Sequence, residues 1–153
     1  MRRVTRTGLG LVLTTIALGV PPGFAQNVEQ VKPPPGGASS FDFGGVNVFE
    51  RVIPNAEGKS MVAIVVTYPP GGKSPPHHHA GSAFIYAHVL SGAVRSQVDD
   101  EPAKVYQAGE GFYEMPGAHH RISENASGKD PASLLAVYVV DSKDRPLTTA
   151  DQK

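Results

Sequence analysis

The sequence contains no cysteine. That excludes disulfides, thiolate chemistry and a lipid attached to a cysteine behind an export signal. It also lacks any helical period sustained over ten or more residues. No apolar run is long enough to span a membrane comfortably; the longest stretch of that kind, residues 9–20, is too short. An excess of basic charge is missing as well. Formal net charge is zero over the 153 residues. Without residues 1–25 the chain has 11 Lys+Arg against 14 Asp+Glu, a net charge of −3. A mildly acidic protein carries no electrostatic footprint for nucleic acid, so no nucleic-acid partner is expected.

What is present begins with a secretory signature. Arg2, Arg3 and Arg6 form a basic region, "LGLVLTTIALGV" an apolar one, and "PPGFA" ends in small residues at Ala25. Residues 1–25 are therefore expected to be a signal peptide, with the mature protein periplasmic or secreted and not inserted in a membrane after cleavage. A retained anchor is the alternative. "VKPPPGGASS" within residues 26–40 cannot bury a core and reads as a linker or arm. Residues 41–153 then form the folded domain.

Within that domain β-branched runs recur at strand length. They are 46–53, 61–68, 83–90, 93–98, 103–108, 111–115, 119–123 and 134–140. Gly (17) and Pro (14) exceed a fifth of the chain and fall between these runs, which predicts an all-β sandwich or barrel. With no disulfide available, the domain stands on its core, helped by a metal or by dimerisation.

All six histidines lie between residues 77 and 120. A triple histidine after Pro75-Pro76 is either a polar loop or a metal-binding tract. Alternation in a strand turns His77 and His79 to one face and His78 to the other. Two imidazoles on one face are how a sheet presents a metal. If His120 also faces inward, three nitrogen ligands converge. Ligand histidines must be neutral, so metal affinity is expected to fall as pH drops through about 6.

These residues carry a family resemblance. Gly71, five residues, His77, one residue, His79 and later Gly92 resemble the first motif of the cupin superfamily. Gly109, five residues, "MPG", two residues and His120 resemble the second. The resemblance runs from about residue 60 to 140. It implies a double-stranded β-helix, or jelly-roll barrel, with one divalent transition metal (Mn, Fe, Zn, Ni or Cu) held by His77, His79 and His120. It also implies pairing of barrels into a homodimer. The glutamate of the family's first motif is absent: the corresponding positions are Ala83, Phe84 and Ile85. The first motif looks about two residues longer than usual, which implies a bulge or loop. Met115 stands where the second motif has proline. Glu124 stands where an asparagine is expected, with Asn125 one step late.

Glu114 is the first candidate to replace the lost carboxylate, as metal ligand or as a catalytic base; its alternative is an outward, solvated side chain. His88 is the second candidate, although simple alternation turns it to the opposite face. His119 should point away from His120 and could meet a substrate at the rim. Phe84, Tyr86, Phe112 and Tyr113 are either barrel core or the wall of a ligand pocket. Arg95, Gln97 and Arg121 read as outward polar residues. Three histidines leave open metal positions, which suits a metal-dependent oxygenase or isomerase acting on a small oxygen-rich molecule. The alternative is a barrel that binds a metal or small ligand without chemistry.

Overall fold

The computed structural model describes residues 40–41 and 45–152, and the predicted runs form strands there. The expected signal peptide 1–25 and all but the last residue of the arm 26–40 lie outside the described residues. The described residues form twelve strands: β1 (Ser40–Phe41), β2 (Gly45–Val52), β3 (Lys59–Tyr68), β4 (Lys73–Ser74), β5 (His77–His79), β6 (Phe84–Ser91), β7 (Ala93–Val98), β8 (Lys104–Gln107), β9 (Gly111–Glu114), β10 (His119–Asn125), β11 (Ala132–Asp141) and β12 (Thr148–Ala150). The described residues contain no helix.

Every strand pairing among the described residues is antiparallel. One sheet runs β1-β2-β3-β11-β6-β9, and the other β12-β5-β10-β7-β8 with β4 also on β10. The two sheets bury one core, and the architecture is the double-stranded β-helix. Alternation decides what enters it. Along β11, Ala132, Leu134, Ala136, Tyr138 and Val140 face inward while their neighbours do not. Along β6, Ile85, Ala87 and Val89 face inward, which leaves Phe84 and Tyr86 outside. Ile85, Val62, Val89, Val94 and Val140 are the largest fully buried side chains. Each such aliphatic residue contributes about 1.5–3 kcal/mol by leaving water.

Glycine makes the one-residue crossing from β6 to β7, which lie in different sheets, for a steric reason. Gly92 has φ 68°, and a Cβ there would lie 2.6 Å from the Pro131 carbonyl oxygen. Strand register is interrupted at three points. Leu90 is skipped where β6 meets β11, Val48 where β2 meets β3, and Arg121 where β10 meets β7. The extra length expected in the first motif thus includes a bulge at Leu90, and a four-residue turn, 80–83, separates β5 from β6. The sequence reading assigned no strand to β4 or β12. Both are two or three residues long and carry no periodic signal of their own.

Candidate metal centre

β5 is only three residues long, and its burial alternates as expected. His77 and His79 are buried, and His78 is outside. β10 lies antiparallel to β5 with His120 opposite His77, so a third buried imidazole joins the pair. One ligand nitrogen from each of His77, His79 and His120 lies within 4.8 Å of the others. β9 supplies the carboxylate. Its alternation turns Phe112 and Glu114 inward and leaves Tyr113 exposed. Glu114 is only 3 % exposed. Its Oε2 is 3.0 Å from His79 Nε2, and its Oε1 is 3.5 Å from His120 Nδ1.

Glu114 takes the level in the wall that the first motif leaves empty. Ile85, one of the positions where the resemblance expects glutamate, is its cross-strand partner on β6. The carboxylate has moved one strand sideways, and Ile85 packs into the core instead.

Each imidazole is oriented by a group behind it. His77 Nδ1 donates to the Pro75 carbonyl oxygen at 2.7 Å, which makes Nε2 its lone-pair nitrogen. His120 Nε2 bonds to Ser96 Oγ at 2.9 Å, and its Nδ1 faces Glu114. His79 Nδ1 lies 3.5 Å from Thr148 Oγ1 on β12. Burial pushes His77 down to about 4, and it also lowers His120. Both rings are therefore neutral near pH 7, the form that binds a metal. For Glu114, burial acts to raise the carboxyl, but the contact with His79 and attraction to the other histidines as acid begins to protonate them outweigh it, and the carboxyl sits below its ordinary value.

The donor set fits a divalent transition metal. His79 Nε2 and Glu114 Oε2 are buried and have no hydrogen-bond partner, although they face each other at 3.0 Å. Two buried polar atoms left this way are costly unless a further group satisfies both. Three nitrogens and one carboxylate oxygen are ligands that suit Zn, Cu, Fe, Ni and Mn.

The four residues line a cavity of about 50 Å³. Ile64, Val66, Ala87, Phe112, Leu134 and Ala136 provide apolar wall. Two tyrosines that the sequence reading did not single out complete it. Tyr68 hydroxyl bonds to Ser74 Oγ (2.9 Å) and Ser123 Oγ (2.8 Å). The Tyr138 ring meets His79 edge-on at 5.7 Å. Burial raises both phenols, so both stay protonated. Their only sequence signal was an inward place in a strand, which any core residue shares.

The remaining expectations sort by face. Phe112 lines the cavity, while Phe84, Tyr86 and Tyr113 stand outside it and Phe84 stacks on Tyr113. His88 takes an outward position of β6 between the inward Ala87 and Val89, with its Nδ1 3.2 Å from the Tyr86 hydroxyl, and takes no part in the cluster. His119 points away from His120, as alternation requires, and stacks on His78 on the outer face of the wall. Arg95 pairs with Glu124, and Arg121 with Asp100. Asn125 is buried because the bulge at Arg121 advances the alternation by one residue. Its amide donates to the carbonyls of Pro69 and Asp130, tying two loops together.

A double-stranded β-helix with three histidines and a carboxylate in its interior defines a class of barrel whose interior could hold a metal. Residues 64–138 match the family description "Cupin domain". The chain is a member of the cupin superfamily. Among curated proteins none matches it. Several solved structures share its fold at low identity. One is an uncharacterized conserved protein with a double-stranded β-helix domain from Klebsiella pneumoniae subsp. pneumoniae MGH 78578, at 19% identity and TM-score 0.54, covering 80% of this chain and 91% of that one. Another is an oxalate oxidase, at 20% identity and TM-score 0.54, covering 84% of this chain and 66% of that one. A third comes from work on the DMSP lyases RdDddP and RnDddQII, at 18% identity and TM-score 0.54, covering 71% of this chain and 53% of that one.

Proposed function

We infer that the protein is a metal-dependent oxygenase or isomerase acting on a small oxygen-rich molecule. The observation that carries this reading is the buried cluster of His77, His79, His120 and Glu114 in an apolar cavity. A divalent transition metal held by these residues would supply Lewis acidity or, if redox-active, activation of O₂. The chain's own groups do the rest. Glu114, ionised and buried, accepts a proton from the bound molecule. Tyr68 and Tyr138, kept protonated, donate hydrogen bonds to its oxygens. Ile64, Val66 and Leu134 keep bulk water out. A cavity takes one water from roughly 10–15 Å³ upward. At about 50 Å³ this one suits a compact acid or diketone. Similarity to an oxalate oxidase structure in complex with glycolate, at 20% identity, supports that substrate class. The basic and apolar segments at the start of the sequence support action in the periplasm or outside the cell.

The test is to purify the chain without a histidine tag, measure bound metal by elemental mass spectrometry, and follow O₂ uptake and product NMR. The panel is small dicarboxylates, hydroxy acids and diketones. Metal that disappears in His120→Ala, with turnover lost in Glu114→Gln, is the expected result. Tight binding of a panel member with no product from any would make the protein a binding module instead. Failure to take up metal at His120 after reconstitution would remove the oxygenase reading.

A further inference from the structure

The strands that turn His77, His79 and His120 inward turn their neighbours outward. His78 and His119 are cross-strand partners of β5 and β10 on the outer face. Their rings stack 4.1 Å apart with 15° between planes. β12 lies on the other edge of β5, with Thr149 paired to His78. Asp151 follows it, and its N–H donates to the Pro76 carbonyl oxygen at 3.0 Å, which fixes it beside the ring pair. The carboxylate then divides its oxygens between the two rings. Oδ2 is 2.9 Å from His119 Nε2, and Oδ1 is 3.8 Å from His78 Nε2. One donor atom from each of the three lies within 4.8 Å of the others.

A single hydrogen bond from His119 would satisfy Asp151 without drawing His78 toward it. Here both Nε2 atoms converge on one carboxylate. Two nitrogens and an oxygen bonded to one ion at about 2.0–2.2 Å would sit roughly 3.3 Å from one another. One donor atom of each residue already lies within 4.8 Å of the others, with His119 2.9 Å from Oδ2 and His78 3.8 Å from Oδ1, so side-chain movements can bring the three to that spacing. Two imidazoles with one carboxylate are a borderline donor set, suited to Zn²⁺, Cu²⁺ or Ni²⁺ rather than Ca²⁺ or Mg²⁺. His78 has 55 % of its side chain exposed, so water has access to the remaining positions.

We propose that His78, His119 and Asp151 form a second, solvent-facing site for a divalent transition metal, back to back with the interior cluster across one sheet. The ion would link β5, β10 and β12 on their outer side. β12 also places Thr148 behind His79, so the outer ion would brace the strand that supports an interior histidine.

Zinc chloride titrated into the untagged, chelator-stripped full chain tests this by calorimetry, with elemental analysis of the dialysed complex. The comparison is wild type against Asp151→Asn, His78→Asn and His77→Ala. The outer substitutions lie at exposed positions, and matched circular dichroism confirms their folds. The expected result is one zinc equivalent lost in both Asp151→Asn and His78→Asn and retained in His77→Ala. That result holds whether or not the interior takes zinc, so the two sites stand or fall separately. Equal stoichiometry in wild type and Asp151→Asn overturns the proposal. A single wild-type equivalent that is lost in His77→Ala and kept in both outer variants also overturns it, because that ion would occupy the interior cluster alone.

Discussion

At the scale of single residues, the interior cluster depends on groups that hold the ligands as well as on the ligands. Ser96 Oγ is 2.9 Å from His120 Nε2 and fixes that ring. Outer partners of metal-bound histidines contribute about 10–100-fold to metal affinity. Ser96→Ala should therefore weaken zinc binding by about that factor while the fold persists, as read by competition with a chromophoric chelator. The pH behaviour follows from burial. His77 titrates near 4 in the fold against 6.5 when exposed. The unfolded chain therefore binds the extra proton between those values, and stability of the metal-free protein falls as pH drops from 6.5 to 4. A difference of that size corresponds to a loss on the order of 3 kcal/mol. Urea midpoints of the metal-free protein at pH 7 and 4 should fall further in wild type than in His77→Asn. The lowered His120 and the lowered Glu114 act in the same direction, since each loses its favourable form as acid is added. Metal release, expected near pH 6 from ordinary histidines, moves to lower pH for the same reason: His77 and His120 are held neutral by burial.

At the scale of elements, turns and bulges set which side chain reaches the interior. Gly92 and Gly58 both have positive φ, but only Gly92 is crowded. Gly58→Ala meets nothing within 4 Å and carries only left-handed strain. Gly92→Ala adds a clash with the Pro131 carbonyl and Ala132. A non-glycine residue in that region costs about 1–3 kcal/mol. Thermal unfolding should place Gly58→Ala within that range and Gly92→Ala below it in stability; equal losses would mean that the loop at Pro131 yields. The second motif shows the same dependence. Alternation from His120 alone would send Asn125 outward, and one bulged residue, Arg121, reverses that.

At the scale of the molecule, the cavity is lined by both sheets. β3, β6, β9 and β11 supply most of the wall and Glu114, and β5 and β10 supply the histidines. A metal bound across them acts as a staple that the unfolded chain lacks. At a free concentration a hundredfold above Kd it stabilises by about 2.7 kcal/mol. For a domain of this size that corresponds to a rise in Tm of about 10 °C. Differential scanning fluorimetry with and without a chelator should show it, and His120→Ala should abolish the part that comes from the interior.

The sequence by itself determined the β architecture, because strand-length apolar runs separated by glycine and proline have few other solutions. It also determined that His77 and His79 share a face opposite to His78, since the period of a strand is two. The resemblance of the two glycine-histidine motifs to the cupin pattern implied that His120 joins them. Tertiary structure decided what periodicity cannot reach. Glu114 enters the cluster because β9 pairs with β6 and sets it level with Ile85. Tyr68 and Tyr138 line the cavity because of where β3 and β11 lie, and nothing local distinguishes them from core. β12 is too short to announce itself, yet it brings Thr148 to the inner face and Asp151 to the outer one. Contacts made across strands far apart in the chain fix these positions, and the order in which strands pair is a property of the whole fold.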